Sequence, residues 1–238
     1  MKRINKRIAF VTNLVLVLTI IFVYVVSFIP EPTLPIYNGE NLQAIYHGNT
    51  DNPNVSLMFN VYENTQVVNE IIDILNEKKV KATFFVGGCW ADDNERTLNR
   101  IINEGHELAN HGYFHKDHAK LNRQDNQNEI TRCGVIVKAM CGVDMNLFAP
   151  PSGSFSKTTL SVASSLNYKV IMWSKDTIDW RDKDENLVYK RATQNLTNGD
   201  FVLMHPKSHT KNILPQIIDF YLNSGFNVVT VSDNLRLT

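Results

Sequence analysis

The sequence predicts an α/β fold built on parallel strands, and three observations lead to this prediction. Short apolar runs recur seven times between residues 43 and 238, and helix-length amphipathic patterns separate them. A helix between two strands is the connection that parallel strands require. Apolar runs such as ATFFV are almost uninterrupted, which is typical of strands covered on both faces. A closed barrel and an open doubly wound sheet both satisfy these observations.

The N-terminal segment precedes this domain and predicts a transmembrane helix. An apolar run over 8–29 follows four basic residues, which are Lys2, Arg3, Lys6 and Arg7. At about 1.5 Å per residue, such a run spans a bilayer core of about 30 Å. No small-residue cleavage pattern follows it, so we expect an uncleaved anchor, with a cleaved secretory signal as the alternative. The basic flank predicts a cytoplasmic N-terminus, a single-pass cell-membrane protein and an extracytoplasmic C-terminal domain.

A Pro-rich stretch over 30–42 is typical of an extended linker, and the domain follows it at 43–238. Strands are predicted at 55–59, 82–86, 106–110, 147–150, 169–173, 200–205 and 227–231. Helices are predicted at 65–76, 93–103, 124–140, 157–166, 185–196 and 211–222. In the first helix, Val68, Ile71 and Leu75 share one face and indicate a stripe that packs on the sheet. Thr65 is expected to cap its start.

Composition excludes several classes of protein. Four of the 24 basic residues belong to the N-terminal flank, so the rest of the chain carries 20 basic and 24 acidic residues, a net charge of −4. Without a basic stripe, no nucleic-acid partner is expected. No glycine-rich dinucleotide or phosphate-loop motif is present. The three cysteines are Cys89, Cys133 and Cys141; three unpaired thiols are favoured over a Cys133–Cys141 bridge.

Polar residues gather just after the predicted strands. They are Asn60, His111, His115, Asp176, Asp179, Trp180 and His205. Each has an ordinary explanation by itself: a surface histidine pair, a buried core histidine, or aspartates that cap turns. Since α/β barrels hold their active sites at the carboxyl ends of the strands, the coincidence favours a functional site.

Three sequence motifs that contain these residues resemble motifs of the polysaccharide deacetylase (NodB-homology) family of carbohydrate esterases. The pattern H-[ST]-x-x-H is closely matched from His111 to His115, and D-x-x-D-[WY] is matched in full from Asp176 to Trp180. The closing motif, "VLMHP", contains His205. The resemblance covers about residues 50–236 and implies a distorted (β/α) barrel of about seven parallel strands.

Two other motifs depart from the family pattern. The family's T-F-D-D-G stands here as Met58-Phe59-Asn60-Val61-Tyr62, so the usual base and metal aspartates are replaced by Asn60 and Val61. Ala149 stands where the family's R-x-P-x-G motif has arginine, while Pro150 and the following residues keep the shape of the motif. The anchor and the altered first motif resemble the sporulation- or envelope-associated branch of the family.

The resemblance implies a hydrolase that removes acetyl groups from an N-acetylated envelope glycan such as peptidoglycan. It assigns His205 as general acid, with Asp179 beside it and Asn60 in place of the base. It makes Trp180, Tyr62 and Pro150 substrate-binding residues.

The resemblance also implies a divalent metal of the zinc or cobalt type, held by His111 and His115. Without a carboxylate at Val61, this metal is expected to bind weakly or not at all. Glu63 is a candidate substitute ligand or base, although an acid at a helix start also suits the helix dipole. The alternative function is an inactive glycan-binding pseudoenzyme of the same fold. Oligomeric state is left open.

Overall fold

The computed structural model describes residues 6–27 and 42–236. The chain divides into two units, and the first contains a single helix, α1 (Lys6–Ser27). Side chains are described for residues 10–24 of this helix, and they are exposed. Within the described residues, no helix is both long and apolar enough to cross a membrane. The predicted transmembrane span over 8–29 extends past the residues whose side chains are described, and it stays a prediction. The predicted linker over 30–42 lies outside the described residues up to position 41 and also stays a prediction.

The second unit is an α/β domain with eight short strands among its described residues. The strands are β1 (Asn54–Val61), β2 (Thr83–Val86), β3 (Glu107–Asn110), β4 (Leu147–Phe148), β5 (Lys169–Val170), β6 (Lys175–Asp176), β7 (Phe201–Met204) and β8 (Asn227–Val228). Strand β6 was not predicted, because a polar two-residue strand leaves no apolar run to detect.

Eight further α-helices lie among the residues of this unit that the structure describes. They are α2 (Thr65–Glu77), α3 (Gly88–Asp92), α4 (Glu95–Asn103), α5 (Arg123–Cys141), α6 (Lys157–Ser165), α7 (Glu185–Thr193), α8 (Ser208–Asn223) and α9 (Val231–Leu235). The two five-residue helices, α3 and α9, are too short to produce an amphipathic pattern and were not predicted. The expected cap at Thr65 is wrong: the N-cap of α2 is Asn64, which adopts a left-handed conformation and makes no side-chain capping bond.

The strands form one sheet in the order β5-β4-β3-β2-β1-β7-β6, and β8 pairs with the start of β1. Every strand pair is parallel, as predicted. The sheet curls into a half-barrel, because buried side chains from both of its halves, among them Leu147, Ile171 and Phe201, meet in one interior cluster. It stays open between β5 and β6, where no strand pairing is found among the described residues.

The chain before β1 bridges this open edge. Ile45 pairs with Ile171 just after β5, and His47 pairs with Asp200 just before β7. Two hydrogen bonds fix the first contact, from Ile45 N to Val170 O at 2.8 Å and from Met172 N to Ile45 O at 2.7 Å. The prediction of about seven strands around a distorted barrel is therefore confirmed as a curled parallel sheet that a separate segment completes.

Strand β1 sets the direction of the side chains that matter for function. Successive residues of a strand point to opposite faces, and Leu57, Phe59 and Val61 pack in the cluster between sheet and helices. Met58 packs in the interior cluster instead. Asn60 follows the same parity as Met58, so its side chain points to the inside of the half-barrel, at the carboxyl end of the strand.

Buried apolar faces hold the helices on the sheet. In α2 the buried residues are Val68, Ile71, Ile72 and Leu75, and each such side chain contributes roughly 1.5–3 kcal/mol when fully buried. All three cysteines are free, as expected, and Cys133 is buried in this layer.

His106, buried just before β3, predicts a loss of stability in mild acid. Its Nδ1 accepts a hydrogen bond from Ala82 N at 3.3 Å, while Nε2 has no partner among the described residues. Burial, with a contribution from Lys81, lowers the pKa of His106 to about 4. In the unfolded chain, His106 therefore binds a proton below about pH 6.5, whereas in the folded protein it binds this proton only below about pH 4.

We expect this histidine to remove about 3 kcal/mol from the free energy of unfolding as the pH falls through that interval. Urea denaturation at several pH values will measure it against His106→Asn, whose amide oxygen replaces Nδ1 as the acceptor. The variant should show a shallower loss between pH 6.5 and 4; equal pH profiles would contradict the prediction.

Candidate active site

A cavity of about 270 Å³ opens at the carboxyl ends of the strands. The residues that line it are Asn60, Tyr62, His111, His115, Ser152, Trp173, Asp176, Trp180, Leu203 and His205. The structure thus brings together six of the site residues that the sequence predicted, from segments more than a hundred residues apart. Asp179 and Pro150 do not line the cavity. Pro150 is buried and begins a one-turn 3-10 helix, Pro151–Gly153.

His205 and Asp179 form a buried pair at one wall. Asp179 Oδ1 lies 2.7 Å from His205 Nδ1, and Asp179 Oδ2 accepts from His205 N and from Thr210 Oγ1, each at 2.7 Å. Burial alone raises the pKa of Asp179, but the hydrogen bonds from His205 and Thr210 outweigh it, so the net shift is downward. The ionised carboxylate holds the proton of His205 on Nδ1, which leaves Nε2 for a ligand in the cavity.

Asp179 is held against His205 by a strained turn. Ile178 has a φ of 55°, a left-handed conformation that is unfavourable for a β-branched residue. The carboxylate of Asp176 accepts a hydrogen bond from Ile178 N at 2.8 Å, and Thr177 Oγ1 donates to Leu203 O at 2.7 Å. These bonds hold the strained residue, and the motif D-x-x-D-W is therefore a turn that places one aspartate in the cavity and the other behind His205.

His111 and His115 form the opposite wall, with ring centroids 5.1 Å apart. His111 Nδ1 donates to Ala149 O at 2.8 Å, so its Nε2 carries the lone pair. Burial, with a contribution from His115, lowers the pKa of His111 to about 3, and burial also lowers the pKa of His115. Both rings are neutral at pH 7. The ring of Tyr62 lies 4.3 Å from that of His115 and covers one side of it.

Glu129, on α5, holds the loop that carries the two histidines. Its Oε2 accepts from Tyr113 N at 3.1 Å and from Phe114 N at 2.8 Å. The loop needs this support because Gly112 and His115 both have positive φ values, 73° and 56°. The sequence offered no signal for Glu129, which lies on a helix that contributes nothing else to the site.

We expect Glu129→Leu to lower the free energy of unfolding by about 1–3 kcal/mol, since it leaves two backbone N–H groups without an acceptor. Glu129→Gln retains one acceptor oxygen and should cost less. Denaturant titration of both variants will test this. If the two variants lose the same stability, the hydrogen bonds from Tyr113 N and Phe114 N are not what Glu129 contributes to the stability of the loop.

Asn60 and Val61 stand where the resemblance placed a base and a metal ligand. Asn60 is 2% exposed, and its Oδ1 has no hydrogen-bond partner among the described residues. Val61 is fully buried on the other face of β1, among apolar side chains of the helix layer. Among the described residues, no group of three or more histidine, cysteine or carboxylate side chains is placed to hold a metal ion. Two neutral imidazoles therefore remain, and this donor set does not fit a three-ligand metal site.

Glu63 and two residues that follow the histidine pair, Asp117 and His118, could replace the missing ligand by their chemistry, but none of them lines the cavity. Glu63 forms an ion pair with Lys207 and does not line the cavity. Asp117 accepts from Ser154 Oγ and pairs with Lys120, and His118 is buried with its Nδ1 against Asn126 Oδ1 at 2.7 Å. Rescue of the metal site by Glu63 has no support in this arrangement.

Four residues of the cavity had no role assigned from the sequence, namely Ser152, Trp173, Asp176 and Leu203. Asp176 belongs to a recognised motif, so its role was open to prediction. Ser152 lines the cavity from a left-handed turn with a φ of 55°, and the sequence gives no signal for this turn.

A larger open groove of about 1200 Å³ lies beside α2 and α4. No motif residue lines it, and its Arg100 is paired with Asp73 and Glu104.

This chain is similar in sequence to several known proteins. The family model described as polysaccharide deacetylase matches residues 47–171. An uncharacterised Bacillus subtilis protein, YlxY, is 33% identical over 201 residues, which are 84% of this chain and 63% of that protein. A peptidoglycan-N-acetylglucosamine deacetylase of Bacillus cereus is 29% identical over 197 residues, 81% of this chain and 72% of the relative.

Among solved structures, a CE4 family pseudoenzyme from Bacillus anthracis superimposes with a TM-score of 0.80 at 30% identity, over 83% of this chain and 70% of that chain. A mutant of the same protein, described as having restored enzymatic activity, also superimposes with a TM-score of 0.80, at 28% identity over 83% of this chain and 72% of that chain. This chain is therefore similar both to a protein named as a deacetylase and to a pseudoenzyme of which one mutant is described as having restored enzymatic activity.

Proposed function

This chain belongs to the polysaccharide deacetylase family, and from that premise we propose that its cavity binds an N-acetylated envelope glycan such as peptidoglycan without hydrolysing it at an enzymatic rate. One observation carries the proposal: the position of the base is held by Asn60, an amide of the cavity wall whose Oδ1 is buried and has no hydrogen-bond partner among the described residues. The rest of the wall still has the composition of a sugar site.

Hydrogen-bond acceptors dominate the polar part of the cavity. Asn60 lines the cavity and its buried Oδ1 has no partner among the described residues, and Asp176 also lines the cavity. His111 and His205 each use Nδ1 for a bond to the protein, so Nε2 is the nitrogen that each ring leaves for a ligand, and the neutral ring of His111 presents a lone pair there. Sugar hydroxyls and the N–H of an acetamido group are the matching donors. Tyr62, Trp173 and Trp180 supply apolar faces for the sugar ring.

The same residues explain why hydrolysis is expected to be slow. An amide cannot hold the proton that a general base must take from water, and the loss of such a base costs about 10²–10⁴-fold in rate. In an active relative, a bound metal ion would polarise the carbonyl and activate water. Here the donor set offers only His111 and His115, so no step through a metal is derived for this chain.

The test uses the full-length protein in detergent micelles and the tetramer of N-acetylglucosamine. Calorimetry should show binding, and Asn60→Leu should weaken it about tenfold, since a polar amide of the cavity wall is replaced by an apolar side chain. Asn99→Leu, a half-buried asparagine of α4 that does not line the cavity, is the matched control and should bind normally. Absence of binding to the unaltered protein would reject the proposal.

A slow deacetylase is the second candidate, and the intact Asp179–His205 pair favours it. That pair supplies the acid half of the reaction, the proton for the leaving amine. Deacetylation of the same tetramer with added zinc or cobalt separates the candidates. A rate well above that of His205→Ala would show that this chain is an enzyme.

We further propose that residues 8–29 anchor the domain to the cell membrane, with residues beyond Phe28 outside the cytoplasm. The length of the apolar run and its basic flank support this proposal. Protease added to intact protoplasts should then digest the domain. Complete protection of the domain, with digestion after lysis, would reject this orientation.

A further inference from the structure

An exposed aromatic side chain lies next to the cavity and carries two cations on its surface. Phe114 is 49% exposed, although it is the residue directly before His115 of the cavity wall. Lys116 Nζ lies 5.4 Å from the centre of its ring, and the guanidinium carbon of Arg132 lies 5.9 Å from it. We call Phe114, Lys116 and Arg132 the Phe114 surface.

The Phe114 surface is rigidly presented. Phe114 N donates to the buried carboxylate of Glu129, and the ring packs edge-on against Tyr113, with centroids 4.6 Å apart. Arg132 also lies 5.8 Å from the ring of Tyr113 and so bridges both aromatic rings. A large apolar ring fixed in solvent gains nothing for folding, whereas a fixed ring costs little entropy when a ligand stacks on it.

Charge makes this surface distinct from the rest of the domain. The chain after the basic flank has a net charge of −4, so an anionic polymer is repelled overall. Lys116 lies 3.6 Å from Glu129 Oε1, which offsets part of its charge. Arg132, in contrast, has no carboxylate within ion-pair distance among the described residues. On the far side of the Tyr113 ring, Asp92 Oδ2 lies 3.5 Å from the phenol oxygen of Tyr113.

We infer that the Phe114 surface binds a carboxylate-bearing sugar of the glycan whose N-acetylated neighbour occupies the cavity. This inference rests on the proposed function. Phe114 and His115 are neighbours in the chain, with Cα atoms about 3.8 Å apart, so a glycan that leaves the cavity at His115 has the Phe114 surface within the length of one sugar. The ring would stack on the sugar, while Arg132 keeps its N–H groups free at its edge to bind a carboxylate in a bidentate manner.

The experiment compares two tetrasaccharides on the full-length protein in detergent micelles. One is the neutral tetramer of N-acetylglucosamine, and the other alternates N-acetylglucosamine with N-acetylmuramic acid, which bears a lactyl carboxylate and here no peptide. We expect the anionic glycan to bind about tenfold more tightly at low salt, and the difference to shrink at high salt.

Variants assign the preference to named side chains. Arg132→Gln should abolish the preference for the anionic glycan and leave the affinity for the neutral one unchanged. Phe114→Ala should weaken the binding of both, because it removes the stacking platform. Arg123→Gln, at the other end of α5, is the matched control and should keep the preference.

Three outcomes would overturn the inference. They are equal affinities of the unaltered protein for both glycans, a preference that survives Arg132→Gln, and a preference that Arg123→Gln abolishes equally well. The first two leave the cavity proposal standing, because the neutral glycan still binds. If neither glycan binds, the proposed function fails as well.

Discussion

Replacing Asn60 and Val61 together by aspartate is expected to raise the deacetylation rate of this protein by a factor on the order of 10² or more. Asn60 already points into the cavity beside His111 and His205, so an aspartate there gains the position of a base without any change in the backbone. The second aspartate supplies the anionic ligand that two neutral imidazoles lack. A pseudoenzyme of the same family with restored activity in a mutant supports the feasibility of such a repair.

The structure adds a condition to this expectation. Val61 packs in the apolar layer that also contains Val86 and Ala91, so an aspartate at position 61 must turn towards His111 or remain as a buried charge. A buried unpaired carboxylate is costly. The double variant should therefore melt at a lower temperature in the presence of a chelator and recover stability when zinc is added. The unaltered protein should show little response to either.

Single variants separate the two contributions. Val61→Asp alone should gain metal occupancy with little activity, since the base is still missing. Adding His205→Ala to the double variant should remove most of the recovered rate. Metal analysis after dialysis is the accompanying measurement: the unaltered protein should retain well under one equivalent of zinc. Tight stoichiometric zinc in the unaltered protein would contradict the assignment of His111 and His115 as an incomplete site.

Asp179→Ala is expected to lower the free energy of unfolding by about 3–5 kcal/mol, the usual consequence of removing one partner of a buried ion pair. Asp179 is 1% exposed and accepts hydrogen bonds from His205 N, His205 Nδ1 and Thr210 Oγ1. Removal of its carboxylate leaves all three donors without an acceptor. Urea denaturation at pH 7 measures the loss. Asp176→Ala is the matched control and should cost much less, because Asp176 is less buried and, among the described residues, its carboxylate accepts only from Ile178 N.

The pH dependence of this loss follows from the direction of the pKa shift. The pKa of Asp179 is lower in the folded protein than in the unfolded chain, so its stabilisation is complete above the unfolded value of about 3.9. It is lost as the pH falls through the lower, folded value. The difference between the protein and Asp179→Ala should be constant from pH 6 to 8 and shrink below about pH 4. A difference that disappears already at pH 6 would show that the pair is not formed with an ionised Asp179.

The motifs at the strand ends were readable because their chemistry is local in sequence. His111 and His115 belong to one short loop, and Asp176, Asp179 and Trp180 belong to one turn. The rule that parallel strands end at one edge then placed these segments together, and the cavity confirms that placement. The rule does not give the direction of a side chain at a strand end, and so Val61 was identified as a missing ligand without any sign that it faces the helices.

By itself, the sequence determined the parallel α/β architecture, the family and the loss of the two aspartates, because periodicity and motif spacing depend only on neighbouring residues. The tertiary structure alone decided which side chains share the cavity. Glu63 is next to a helix start in sequence, yet Lys207, 144 positions away, pairs with it and keeps it from the histidines. Phe114 is apolar in sequence, yet the carboxylate of Glu129 holds its loop so that the ring stays in solvent beside Arg132. Such contacts depend on how distant segments pack around a curled sheet, and no local pattern encodes that packing.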